Sequence, residues 1–291
     1  MKPAPFKYHS PSTLNEALEL VATLENAKLL AGGQSLMPMM NFRFVMPDHI
    51  IDLNRIGELA AIEQRGNQLF FGAMTRQHAL ETSPVVQKLA PLIVEAYSHV
   101  SHRQVRNRGT YGGSLCHLDP SSEQPCFTSA MDGVIEVASR NGTRQVPMAE
   151  WTSMYMTPAL AEDEMMTGAQ LAVWPAEHGW AFAEYSRRHG DYAIVGVAVL
   201  VTVDAARRID RLAISICGIG AGPVRLDAAE SELLGMAADE GAIGHAMRIA
   251  ASIEDVMADA HNTADYRRHL AKTLTGRALR AAFQRARSGK Q

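Results

Sequence analysis

Apolar positions along this chain switch between a helical and a strand period, and each switch marks an element. Leu14, Leu18, Val21 and Leu24 recur at helical spacing after Pro11-Ser12-Thr13, with Thr13 and Glu16 at the separation of a capping box. Residues 28–31 are a short strand that runs into two glycines. Ile50-Ile51-Asp52-Leu53 and residues 68–72 are further strands, the second announced by the Gly66-Asn67 turn. Helical spacing returns over 75–80 and 85–100. Residues 101–109, with Arg103, Arg106 and Arg108, lead into a second glycine pair. Residues 123–131 are predicted helical, and 135–137 and 144–146 form a hairpin around Asn141-Gly142.

Trp174-Pro175-Ala176-Glu177-His178-Gly179 reads as a linker, and the pattern changes after it. Residues 193–203 and 209–218 are apolar and β-branched, which predicts adjacent antiparallel strands. From Leu226 onward the spacing is helical, ending in a helix over 265–287. Mixed α/β elements, then strands, then helices place the chain in the α+β class. The expected division is 1–176 and 177–291.

Candidate chemistry concentrates in one device used twice. Lys28-Leu29-Leu30 runs into Ala31-Gly32-Gly33-Gln34-Ser35-Leu36. Thr110-Tyr111-Gly112-Gly113-Ser114-Leu115 runs on to His117-Leu118-Asp119-Pro120. Paired glycines let the backbone take φ > 0 and bring N–H groups close to a ligand, and successive N–H groups form an anion-binding nest. Two such segments, each beside an apolar run and a serine, point to two walls around one diphosphate. No P-loop and no Rossmann fingerprint is present. Gly218-Ile219-Gly220-Ala221-Gly222-Pro223 carries Pro223 in place of the last glycine and reads as a strand-ending turn.

Composition narrows the field. The 291 residues are 47% hydrophobic and 20% charged with a net charge of −3, a folded chain without global attraction to nucleic acid or anionic membrane. No apolar run reaches the roughly 18 residues of a membrane span, and the first residues lack a signal-peptide core, so a cytoplasmic location is expected. Cys116, Cys126 and Cys217 are too scattered for a zinc knuckle or an iron–sulfur cluster. Asp119 and Glu123 can serve a ribose or a diphosphate-bound cation, or be a helix cap and a solvated charge. His117 reads as a hydrogen-bonded structural histidine and Cys116 as packing. Arg267, Arg268, Lys272, Arg277, Arg280, Arg285 and Arg287 on the last helix fit a solvated face or a subunit contact better than a nucleic-acid surface.

These segments resemble the FAD-binding medium subunit of molybdenum hydroxylases, the xanthine dehydrogenase and carbon monoxide dehydrogenase family. The resemblance extends to Phe6-Lys7-Tyr8-His9-Ser10-Pro11 with Leu14-Asn15-Glu16-Ala17-Leu18, to Phe71-Gly72-Ala73-Met74-Thr75, to Ser186-Arg187-Arg188-His189-Gly190-Asp191-Tyr192-Ala193, and to Asp265-Tyr266-Arg267-Arg268-His269-Leu270. The first of the last two resembles the family's strand entering the C-terminal domain, the second its closing helix. The implied fold is of the vanillyl-alcohol-oxidase type. Two α/β subdomains, about 1–55 and 56–176, hold FAD, and a C-terminal α+β domain of antiparallel sheet and helices covers it.

By position the resemblance implies a non-covalent FAD site formed by Lys28, Leu29, Leu30, Ala31, Gly32, Gly33, Gln34, Ser35 and Leu36 with Thr75, Thr110, Tyr111, Gly112, Gly113 and Ser114. Glu123 falls on the adenosine side, Met166 against the adenine and Tyr192 beside the isoalloxazine, where strand packing is the alternative. Glu184 lies near a position that is often lysine in relatives. No residue is implied as catalytic or metal-binding, because the flavin carries the chemistry. The molybdenum cofactor is implied on a large partner subunit and two [2Fe–2S] clusters on a small one, in a dimer of heterotrimers. Two other functions stay open: a stand-alone flavin oxidase and a nucleotide-binding interaction subunit without redox turnover.

Overall fold

The computed structural model describes residues 1–288, with side chains through Ala286. Its first layer is a three-stranded parallel sheet of β1 (Lys7–His9), β2 (Ala27–Leu30) and β3 (His49–Asp52) in the order β1-β3-β2. The helix α1 (Leu14–Thr23) opens with the expected capping box, in which Thr13 accepts from the Glu16 N–H and Glu16 reaches back to the Thr13 N–H. Ala17 and Leu18 of α1 pack on Ile51, Leu53 and Ile56. The short α2 (Leu36–Asn41) starts directly after the first glycine pair.

The second layer is a five-stranded antiparallel sheet of β4 (Ile62–Arg65), β5 (Gln68–Gly72), β6 (Val134–Ser139), β7 (Gly142–Pro147) and the later strand β10. Between β5 and β6 run α3 (Gln77–Thr82), α4 (Pro84–Leu89), α5 (Pro91–Tyr97), α6 (Arg103–Arg108), α7 (Tyr111–His117) and α8 (Glu123–Ala130). The helix expected over 85–100 is therefore two. Pro91 has no N–H to continue α4, and Ala90 before it is pushed out of the helical region, at φ −144° and ψ 58°. After β7 come α9 (Met148–Trp151), a small hairpin of β8 (Thr152–Met154) and β9 (Thr157–Pro158), and β10 (Met165–Ala172), which lies between β5 and β6. Tyr111 fixes α7 to this sheet: its ring meets Phe71 edge-on at 5.4 Å and stacks on Phe127 of α8 at 6.4 Å, and its hydroxyl hydrogen-bonds Thr128.

The third layer is the antiparallel sheet β11 (Gly179–Tyr185), β12 (Val195–Val203), β13 (Ile209–Cys217) and β14 (Val224–Arg225). β12 and β13 pair as expected. Behind them stand α10 (Asp227–Leu233), α11 (Glu240–Ala251) and α12 (Ala264–Ser288). β12 is buried on both faces: Val195, Val197, Val199 and Val201 pack on the helices, while Ala198 and Leu200 join the core shared with α8. Residues 186–193, expected as a strand entrance, lie instead in a loop between β11 and β12, because Gly190 turns at φ +87° against the Ser101 carbonyl. The basic helix is largely paired within the chain. Arg267 meets Asp259, Arg268 meets Asp265, Arg280 meets Glu240 and Arg285 meets Glu95. The Arg287 side chain lies outside the described residues. Among the described residues no helix is long and apolar enough to cross a membrane.

Candidate functional site

The two glycine segments meet. Parallel pairing of β2 with β3 sets Leu30 opposite Asp52, so residues 31–35 leave the sheet edge beside Asn54. The Asn54 amide donates to the Ala31 carbonyl at 2.9 Å. Arg76 then donates to the Asn54 side-chain oxygen and to the Arg108 carbonyl, 2.5 Å each. This chain of contacts fixes the first segment against the entrance of the second. A Cβ built on Gly32 would stand 2.3 Å from the Arg108 oxygen and 2.8 Å from the Gly109 Cα. Glycine is the residue that permits this abutment.

The two segments differ in what they offer a ligand. The backbone N–H groups of Gly32, Gly33, Gln34, Ser35 and Leu36 find no acceptor among the described residues. Gly33 turns at φ +74°, and Ser35 caps α2 without a side-chain bond to its backbone. Successive unpaired N–H groups at a turn form a nest for an anion, since leaving them dry and unpaired is costly. In the second segment those donors are already taken. Tyr111 N donates to Thr75 O, Gly112 N to Ala73 O, Gly113 N to the Thr110 hydroxyl and Ser114 N to Thr110 O. Thr110 is the N-cap of α7, so this segment is a helix start rather than a free loop. It presents the half-buried Ser114 and Gly113, the latter beside Ala31, while the Thr110 hydroxyl is buried and used by the cap.

Tyr192 closes the site from the third layer. It is 62% exposed and stands near Ser35, and partial desolvation of the phenol and the nearby Asp119 hold its pKa up. A cleft of about 470 Å³ opens beside it, lined by Ser121, Arg187, Asp191, Asp259 and Arg267. Glu123, the first residue of α8, is buried at 7% exposure and faces Glu184 of β11, and burial raises both carboxyls. Met166 on β10 touches Cys116 of α7, sulfur to sulfur at 4.0 Å. Lys28, Leu29 and Leu30 lie on β2 behind the nest, and Thr75 is buried with its hydroxyl donated to the Ala61 carbonyl. The Tyr111 side chain belongs to the core and Leu36 starts α2.

Sequence reasoning missed Asn54 and Arg76 as parts of this arrangement, and it named Glu184 without giving it a role. Asn54 was findable, since it follows the strand Ile50-Ile51-Asp52, which must neighbour residues 28–31 in any parallel pairing. Arg76 and Glu184 had no local signal, because their partners lie 32 and 61 positions away in sequence. The thiols are unsuited to chemistry. Burial pushes the Cys116 thiol up to about 12, and the hydrogen bond with Cys126 together with burial pushes the Cys217 thiol well above its usual range. Native chain treated with iodoacetamide at about pH 8 should take up almost no label at Cys116, since roughly one thiol in ten thousand is then ionised. Mass analysis showing rapid labelling before unfolding would contradict this burial.

The donor set fits a dinucleotide whose diphosphate occupies the nest. Unpaired N–H groups favour a negative charge, the Ser35 hydroxyl lies among them with Tyr192 near it, and the buried Glu123 stands on α8. Residues 4–172 match the family model of the FAD binding domain in molybdopterin dehydrogenase, and residues 180–282 that of the CO dehydrogenase flavoprotein C-terminal domain. The chain is 36% identical to the 6-hydroxypseudooxynicotine dehydrogenase complex subunit alpha of Paenarthrobacter nicotinovorans, over 100% of this chain and 99% of that one. It is 37% identical to the carbon monoxide dehydrogenase medium chain of Hydrogenophaga pseudoflava, covering 98% and 99%. The solved carbon monoxide dehydrogenase of H. pseudoflava lacking the Mo-pyranopterin moiety contains a chain that superposes with a TM-score of 0.95 at 37% identity, covering 98% of this chain and 99% of that chain. Quinoline 2-oxidoreductase from Pseudomonas putida 86 superposes at 0.93 with 33% identity, covering 98% and 99%. This chain therefore belongs to the family of FAD-binding medium subunits of molybdenum hydroxylases.

Proposed function

We propose that this chain receives electrons from [2Fe–2S] clusters on a small partner subunit and passes them through FAD to an external acceptor. The molybdenum cofactor then sits on a large partner subunit, and the working unit is a dimer of heterotrimers in the cytoplasm. FAD supplies the redox chemistry, accepting electrons singly and releasing them singly or as a pair. The chain's own residues position and enclose it. Gly32, Gly33, Gln34, Ser35 and Leu36 hold the diphosphate through backbone N–H groups. Thr110, Gly112, Gly113 and Ser114 form the facing wall, with Lys28, Leu29, Leu30, Ala31, Thr75 and Tyr111 supporting the two segments. Met166 lines the adenine side, Glu123 accepts from sugar hydroxyls, and Tyr192 lies beside the isoalloxazine. The boundary between the FAD-holding part and its cover is placed at 176/177, with the first part dividing near residue 55.

The observation that carries this is the run of unpaired N–H groups at residues 32–36, seated against Arg108 and Gly109 at the entrance of the second segment. The test separates the route from a stand-alone oxidase. Purified chain should bind FAD and be bleached by dithionite. The substrate of the native complex should leave it unbleached, while in the complex bleaching lags cluster reduction. Direct bleaching of the isolated chain by that substrate would make it an oxidase in its own right. A chain that takes up no FAD would leave the interaction-subunit reading in its place.

A further inference from the structure

We propose that Glu123 and Glu184 share one proton and that this proton couples FAD retention to pH. The inference rests on the FAD assignment above. Strand alternation in β11 puts Gly179, Ala181 and Ala183 against α12, and turns Trp180, Phe182 and Glu184 toward α8. Opposite Glu184 in β12 is Gly196, so no side chain of that residue separates the carboxyl from α8. Glu123 comes down from the start of α8, 7% exposed, on the side that Glu184 faces, and the Glu184 carboxyl adds to burial in raising it. The Glu184 Oε2 is buried with no partner.

No positive group among the described residues answers them. Asp119 faces the pair from the segment before α8, Cys126 from α8, Cys217 from β13, Tyr192 from the β11–β12 loop and Tyr97 from α5. Burial lowers the pKa values of His117 at the end of α7 and of His99 beyond α5. Cations on the neighbouring elements are engaged elsewhere. Arg225 of β14 holds Glu230 and Asp132, Arg267 holds Asp259, and Arg285 holds Glu95. Arg187 and Arg188 of the loop are exposed to solvent. A buried carboxyl facing a half-buried one whose Oε2 is shut off from water is a poor place for two negative charges, so a proton neutralises one of them.

The sign follows. The folded pair keeps a proton that unfolded glutamates release near ~4.3. Its contribution is complete below that value and is lost as pH rises through the raised folded value. The released proton goes to solvent and leaves a second negative charge beside Asp119, on the flank of a site that must take a diphosphate.

Two measurements on the full chain decide it. Infrared spectra of folded, flavin-free chain should show a carboxylic-acid carbonyl band at about pH 7 that fades by about pH 9 and is missing in Glu184→Gln. FAD affinity, read by flavin fluorescence, should weaken roughly tenfold between about pH 6 and pH 9, the consequence of a one-unit linkage. Glu184→Gln should abolish that pH dependence, since an amide can still donate to Glu123 but has no proton to lose, and Glu184→Asp should retain it. Absence of the band in folded wild-type chain, or equal pH dependence in wild type and Glu184→Gln, overturns the proposal. A band accompanied by no FAD binding at either pH overturns the FAD assignment and the coupling, while the shared proton stands.

Discussion

Gly32→Val is expected to strip the chain of FAD and to lower the thermal midpoint of the flavin-free protein. The Cβ it adds would stand 2.3 Å from the Arg108 carbonyl oxygen and 2.9 Å from its carbon. Both are backbone atoms, held by the Arg76 guanidinium and by the Gly109–Gln77 hydrogen bond, so they cannot rotate away. The first segment must lift off the second. Overpacking of this kind costs about 1–3 kcal/mol, and in a chain of this size each kcal/mol is worth roughly 2–4 °C. The loss of cofactor should be larger than the loss of stability, because lifting residues 32–36 turns the N–H groups away from the facing wall.

The other glycines of the site grade this expectation. At Gly33 the added Cβ meets only side-chain atoms, Leu30 Cδ1 and Met37 Cγ, at 3.2 Å, but φ of +74° strains any other residue by about 1–2 kcal/mol. At Gly113 it would strike the Thr110 hydroxyl at 2.7 Å and disturb the cap of α7, worth about 1 kcal/mol. Gly57→Ala, with nothing within 4 Å, should change neither flavin content nor midpoint. Flavin absorbance per protein and thermal melts of the flavin-free variants check the series. Full occupancy in Gly32→Val would remove the abutment from the account of the site.

What was legible follows from where the information lies. Thr13 and Glu16 are three positions apart, so the first helix could be placed to the residue. Val195–Val203 and Ile209–Cys217 are β-branched and joined by a short polar turn, so their pairing was readable too. β10 was not read. Met165-Met166-Thr167-Gly168-Ala169-Gln170-Leu171-Ala172 is rich in residues without strand preference, and it is a strand because β5 and β6 flank it. Its Gly168 sits where any Cβ would press on the Phe70 ring at 2.5 Å, a requirement of the neighbour that the local sequence does not carry. β11 was hidden likewise, since its small alternate residues answer α12 about a hundred positions later.

The site divides along the same line. The paired glycines mark the two segments at once, yet they do not say which one has donors to spare. That depends on Thr75, Ala73 and Thr110 supplying acceptors to the second segment and on nothing supplying them to the first. The serine at 35 was visible, but the approach of Tyr192 to it joins residues 157 positions apart. Only the tertiary fold brings them together, and the buried acid pair is of the same kind.

Gly179→Val is the substitution expected to cost most stability, and it should disturb the flavin site from a distance. The Gly179 Cβ would lie 1.9 Å from the Ala282 carbonyl oxygen and 2.8 Å from the Ala286 nitrogen, both in the backbone of α12. The contact is this close because small residues face each other along its length: Gly179, Ala181 and Ala183 of β11 against Ala271, Ala278, Ala282 and Ala286 of α12. A branched side chain at one end must push the helix away and open voids along the rest, a loss of about 4 kcal/mol or more. α12 also carries Arg267, which donates to the carbonyls of Ile194 and Gly218, and Arg285, which donates to Trp180 O at 2.6 Å and to Glu95 at 2.5 Å. Ile194 ends the loop that holds Tyr192. Displacing the helix therefore loosens the lid over Ser35, so FAD content should fall even in the folded fraction and proteases should cut between 186 and 194. Gly235→Ala is the comparison: φ of +76° strains it, but nothing lies within 4 Å, so it should cost about 1 kcal/mol and leave FAD in place. Denaturant midpoints, flavin content and limited proteolysis read all three effects, and equal midpoints for the two variants would show that α12 does not depend on this contact.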